Sequence, residues 1–173
     1  LSADDDVIFT AAGDLSSTNG NISVTADDDA TSDAESGGAL TMVDGTVFNA
    51  GSGTISGVAD ENITLGQMTT TNATSSAITL NTTSGNILDG DTSEANDLTA
   101  ASGTVAVTTG GGTFGTDANA IETTSATLTK TGLSITVVTP KSEESLSGTN
   151  ETVGEASVDQ TINIVGNLAM TVA

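Results

Sequence analysis

The sequence predicts an all-β fold, a β-solenoid of stacked parallel coils, and three observations carry that expectation. Short apolar segments recur every seven or eight residues: Leu40, Val47, Ile55 and Ile63 follow at intervals of 7, 8 and 8, while Ile8, Leu15 and Ile22, like Ile121, Leu128 and Ile135, lie 7 apart. A repeat this short holds one strand and one corner, and three of them make a coil of about 21 residues, one solenoid turn. The punctuation is Gly, Asn, Asp and Ser, which accept corner conformations, and the segments are rich in Thr, Val and Ile, which suit a pleated surface. No window carries the 3.6-residue period of a helix. Finally, the aromatic content is three Phe with no Trp or Tyr. That suits a narrow interior of stacked aliphatic residues better than the alternative, an antiparallel immunoglobulin-like β-sandwich with strands about every 8–12 residues and a large aromatic core.

Taken in order, the strands begin with Val7-Ile8-Phe9, Asp14-Leu15-Ser16 and Asn21-Ile22-Ser23-Val24, with corners at Gly13 and Asn19-Gly20. An Asn-Gly pair is also a hairpin signal, a point for the antiparallel alternative. An acidic stretch from Asp27 to Gly38 has no apolar period and reads as a surface loop. The rhythm resumes at Ala39–Met42, Thr46–Phe48, Thr54–Ser56 and Asn62–Leu65, then at Ala77–Leu80, Asn86–Leu88, Asp97–Thr99 and Thr104–Val107. Gly51-Ser52-Gly53 and Gly110-Gly111-Gly112 read as tight corners. No Lys follows either cluster and no helix begins there, so neither is a phosphate loop. Residues 1–130 form the solenoid repeat region. Residues 131–173, which contain the single Pro140, form a divergent C-terminal β segment that caps the solenoid or pairs subunits. If all 173 residues coil, about eight rungs at roughly 4.8 Å each make a rod about 40 Å long.

Charge narrows the function. The chain has 23 acidic residues, two basic ones (Lys130 and Lys141), no His and no Cys, for a net charge of -21. Nucleic acid is excluded as a partner because phosphate contacts need Lys and Arg, and an anionic membrane surface is disfavoured for the same reason. No stretch approaches the length of a membrane span. Disulfides and thiolate metal sites are absent by composition. Ser/His/Asp and Cys/His catalysis is equally ruled out, and the chain reads as noncatalytic. An acidic, Ser/Thr/Asn/Gly-rich chain with two tryptic sites suits an extracellular or cell-surface location. Leu1 is not an initiator, which predicts a mature product or a piece of a longer protein.

Three phrases carry a family resemblance: GGALTMVDGTVFNAGSGTIS, ENITLGQMTTTNATSSAITLNTTSGNILDGD and NDLTAASGTVAVTTGGGTFGTDANAIETTSATLT. The stretch from Ser36 to Thr129 that contains them resembles the β-strand repeats of filamentous-haemagglutinin-type bacterial surface proteins. The resemblance implies a secreted, rod-like, right-handed parallel β-helix with an adhesive or matrix role, and it brings no catalytic residue. Implied partners are other copies, flanking repeats, and cell-surface glycans or proteins.

The candidate ligand is Ca²⁺, a hard cation that takes six to eight oxygens. The most loop-like cluster is Asp89, Asp91, Glu94 and Asp97; the densest is Asp27, Asp28, Asp29, Asp33 and Glu35; Asp4, Asp5 and Asp6 form a third. None matches an EF-hand or a calcium-binding β-roll nonapeptide, and the plainer reading is a solvated acidic surface that keeps the chain soluble. Asn21, Asn62, Asn72, Asn81 and Asn150 each head an Asn-x-Ser/Thr triplet, the glycosylation acceptor pattern. The chain ends in an apolar strand pair, and Ile162, Ile164, Leu168, Met170 and Val172 are expected to pair with a neighbouring subunit, making a self-assembling filament or sheath the rival function.

Overall fold

A computed structural model describes residues 1–27, 37–91, 95–116 and 119–130, and within 131–173 the backbone of the strands. Among the described residues there is no helix. The strands are, in chain order, β1 (Ser2–Ala3), β2 (Val7–Phe9), β3 (Leu15–Ser16), β4 (Ile22–Ala26), β5 (Leu40–Met42), β6 (Val47–Asn49), β7 (Ile55–Ala59), β8 (Ile63–Leu65) and β9 (Gln67–Thr69). They continue as β10 (Ile78–Thr82), β11 (Ile87–Asp89), β12 (Leu98–Thr109), β13 (Thr123–Thr131), β14 (Ser134–Val137), β15 (Glu143–Ser147), β16 (Asn150–Val153), β17 (Thr161–Val165) and β18 (Ala169–Val172).

Every ladder between them is parallel. The antiparallel sandwich is thereby excluded for the described strands. The Asn19-Gly20 pair is a corner, not a hairpin: β3 pairs with β6, and β4 pairs with β1 and β7. The chain visits three faces in turn and then returns to the first, so the sheets curl around one interior. The first face stacks β2, β5, β8 and β11. The second stacks β3, β6, β9 and the start of β12, and the third runs β1-β4-β7-β10-β12-β13-β15-β17. Strand β12 spans two faces. Its first residues pair with β9 and its last with β10, and a register shift against β13 falls between Ala100 and Thr104, at the bend.

Each inward position becomes a column of like residues. Val7, Leu40, Ile63 and Ile87 stack on the first face, with Phe114 bridging to Ile87. Ile22, Ile55, Ile78, Val105 and Leu128 stack on the third. All are buried. Between Val24 and Leu80 the neighbouring column contains Gly57, where a Cβ would press on Leu80 and Leu40; those leucines fill the space that the glycine leaves. Phe9 and Phe48 meet edge-to-face at 4.8 Å, a favoured aromatic geometry.

In two strands the residue that marks the rhythm is not the buried one. Ile8 is 64% exposed, and its neighbours Val7 and Phe9 point inward. Phe48, not Val47, is the buried residue of β6. An apolar triplet has two possible inward phases, and only packing chooses between them. Strand β9 carries the buried Met68 and lay outside the rhythm read from the sequence. Towards the C-terminal coils the columns turn polar. Leu98 is followed by Thr123, Ala100 by Ser125 and Val107 by Lys130, whose Nζ lies 5.4 Å from the Phe114 ring centre.

At the corners some backbone bonds between coils continue, such as Ser84 N–H to the Asp60 carbonyl, and side chains supplement them. The residue just before a strand accepts, through its side-chain oxygen, the N–H of the residue stacked on it in the next coil. Asp6 accepts from Ala39, Asp14 from Val47, Asn21 from Thr54, Asn62 from Asn86, Asn86 from Thr113 and Asp97 from Glu122, at 2.7–3.0 Å. Coils approach closely there, and a Cβ on Gly85 would overlap the backbone of Glu61 and Asn62.

Two outcomes follow. Ile63→Ala, in a fully buried column, lowers unfolding free energy by about 2–5 kcal/mol, whereas Thr64→Ala on the outward side changes it by less than about 0.5 kcal/mol; urea unfolding measures both. Asn86→Ala removes the acceptor of Thr113 N–H and costs about 1–2 kcal/mol in the same assay.

Candidate metal centre

The corner rule places one acidic residue in an unusual setting. Asp14 and Asp97 do the same job, each accepting the next coil's N–H at 2.9 Å. Asp14 is exposed, whereas Asp97 has no exposed surface. Asp97 is held from both sides, its carbonyl accepting Met68 N–H and its own N–H donating to the Glu122 carbonyl. One oxygen, Oδ2, takes the Glu122 N–H. The other, Oδ1, is buried and has no hydrogen-bond partner, a costly state for a carboxylate oxygen.

Two more carboxylates face it. Asp89 ends β11 in register with Leu65, at the inward-type position that Phe9, Met42 and Leu65 occupy on the preceding strands. Its Oδ1 accepts the Asp91 N–H at 2.8 Å, which closes a tight turn over Gly90. Glu122 stands one coil beyond Asp97. One oxygen each from Asp89, Asp97 and Glu122 lie within 4.8 Å of one another. Asp91 is 4% exposed beside them, and the Asn119 carboxamide donates weakly to the carbonyls of Asp89 and Asp91.

The electrostatic consequence falls on Asp97. Burial, then the charge of Asp89, push its carboxyl up from 3.8 to about 9; the Glu122 N–H opposes the rise, and the charges of Glu122 and Asp91 add to it. The charges that raise it, those of Asp89, Glu122 and Asp91, are all acidic. Chemically the trio is a set of hard oxygen donors. At Ca²⁺–oxygen distances of about 2.3–2.6 Å, two ligands of one ion lie at most about 5 Å apart, so the spacing fits a single divalent cation.

Of the residues expected as metal ligands, the fold brings together Asp89 and Asp97 and sets Asp91 next to them. Glu94, Asp28, Asp29, Asp33 and Glu35 lie outside the described residues. Asp27 lies elsewhere, at the end of β4 with a left-handed φ of 60°, and its N–H donates to the Asp5 carbonyl. Glu122 was not foreseen. It has no acidic neighbour in sequence, and the signal for it is its place one coil after Asp97. Projecting the Val105–Leu128 register backwards misses that match by two positions, because β12 has extra residues at its bend.

The remaining candidates sit as follows. Asn21 and Asn62 are corner acceptors, and Asn72 donates its Nδ2 to the Ser52 carbonyl. Asn81 lies in β10 and Asn150 in β16. Ile162 and Ile164 lie in β17, which pairs with β15; Met170 and Val172 lie in β18, which pairs with β16. Leu168 is outside the described residues. No protein-family model, no curated protein and no solved structure matches this chain.

The metal-free protein has a defined pH response. Because Asp97 titrates near 9 when folded and near 3.8 otherwise, the folded chain keeps a proton that the unfolded chain loses between those values. Stability therefore falls as pH rises through that window and levels above about 9. Ordinary carboxylates are ionised by about pH 6, so the slope from pH 6 to 9, at most about 1.4 kcal/mol per pH unit, reports Asp97. Chemical denaturation with chelator present measures it, and Asp97→Asn flattens it.

Proposed function

We propose that the chain is a noncatalytic structural or adhesive module of a prokaryotic cell-surface or matrix protein, built as a right-handed parallel β-helix whose coils, expected at about 21 residues, step by 20 to 33 residues between register partners as far as β13. The observation that carries this reading is the uninterrupted stack: eight strands follow one another along one face, each in parallel register with the next. At about 4.8 Å per strand they span roughly 35–40 Å. Such a stack is mechanically continuous and indifferent to the number of coils, which suits a stalk or fibre. The Thr, Ser, Asn and Asp side chains on its outward positions support an aqueous, extracellular setting with glycans or proteins as contacts, and flanking repeats as its immediate neighbours.

A second reading has its own observation. β17 and β18 each stand last in their ladders, with β15 and β16 on one side only among the described strands. An unpaired strand edge is a template for another chain, and Ile162, Ile164, Met170 and Val172 would then join copies into a filament or sheath.

Antibody raised against the chain is expected to label intact cells or their matrix in immunogold electron microscopy, with the label lost after brief surface proteolysis. Label found only in permeabilised cells sinks the surface reading. Negative-stain images of the purified chain separate the two assembly modes: single short particles for a module, filaments with an axial repeat near 40 Å for a polymer.

A further inference from the structure

We infer that Asp89, Asp97 and Glu122 form a Ca²⁺ site that clips three successive segments of the coil together, β11, the start of β12 and the start of β13. The inference does not rest on the surface-protein reading; it stands on the geometry of three side chains.

Two independent observations converge. The three carboxylates place oxygens within 4.8 Å of one another, a spacing one ion spans. Separately, Asp97 is completely buried and its Oδ1 has no hydrogen-bond partner. An acidic corner residue needs no such position, since exposed Asp14 makes the same inter-coil bond. Burying the Asp97 carboxylate with one oxygen unpartnered is unfavourable unless something positive joins it. A divalent cation displaces the proton of Asp97, answers all three carboxylates at once and takes up the unused oxygen. Carboxylate oxygens select a hard ion, and Ca²⁺ accepts irregular coordination, whereas Mg²⁺ demands a near-octahedral shell and gives up water reluctantly. The ligands come from consecutive coils, so the ion binds only the stacked state and stabilises it by mass action.

The test uses the full chain, stripped with chelator and titrated with CaCl₂ by isothermal calorimetry and thermal unfolding. One site is expected with a dissociation constant of about 10⁻⁵–10⁻⁴ M, above a background of weak binding to the acidic surface. At calcium a hundred times that constant, the unfolding equilibrium shifts about a hundredfold towards the native state. Asp97→Asn keeps the oxygen that accepts the Glu122 N–H, and Glu122→Gln keeps that N–H. Each is expected to fold and to weaken the site at least tenfold, while Asp14→Asn leaves it unchanged. The inference is overturned if calcium gives the same heat and the same melting shift in wild type and both variants. It is equally overturned if Asp14→Asn loses as much as they do, or if MgCl₂ binds the site as tightly as CaCl₂.

Discussion

The structure depends on one constraint: successive coils must keep a common register, so that the backbone groups of each strand meet partners in the neighbouring coil. Within strands the peptide groups do this themselves. At corners backbone bonds between coils are fewer, and the side chains of Asp6, Asp14, Asn21, Asn62, Asn86 and Asp97 add to them. The short Asp and Asn side chains reach an N–H one coil away, at 2.7–3.0 Å. The glycines at the same corners let the backbones approach. Once register is held at both strands and corners, inward side chains stack by position, and a column of aliphatic residues forms without large aromatic rings.

This constraint changes the meaning of the acidic composition. With 23 acidic residues against two lysines, a purely solvated surface is the simplest account. Several of the carboxylates instead act as fixed acceptors between coils, a structural use for groups that only accept hydrogen bonds. The arrangement concentrates like charge along the corners, and its extreme is the Asp89–Asp97–Glu122 trio, where one member, Asp97, is fully buried. Electrostatics and stacking therefore meet at one place, and that place is where a cation has the most to offer.

The proposed roles are separable. A stalk or fibre segment needs only the stack, whose stability is a sum of neighbour terms and whose length is set by how many coils follow. A cation at the trio needs only β11, β12 and β13. The trio lies where the interior turns polar, at Thr123, Ser125 and Lys130.

Much of the strand content was legible in the residues. The expected Val7–Phe9 segment is β2, and Asn62–Leu65 and Asn86–Leu88 fall within a residue of β8 and β11, because branched apolar runs between turn residues have few other conformations open to them. Asp89, Asp91 and Asp97 were legible as oxygen donors by proximity along the chain. The sequence by itself thus determined strand, corner and the kinds of chemistry excluded, since these follow from local backbone preference and from which side chains exist. Only the tertiary structure decided that Val7, Phe9 and Phe48 point inward rather than Ile8 and Val47, the parallel partners of the described strands, and the meeting of Glu122 with Asp97. Those depend on register, which a two-residue irregularity in β12 resets, and register is a property of coils packed together rather than of any one segment.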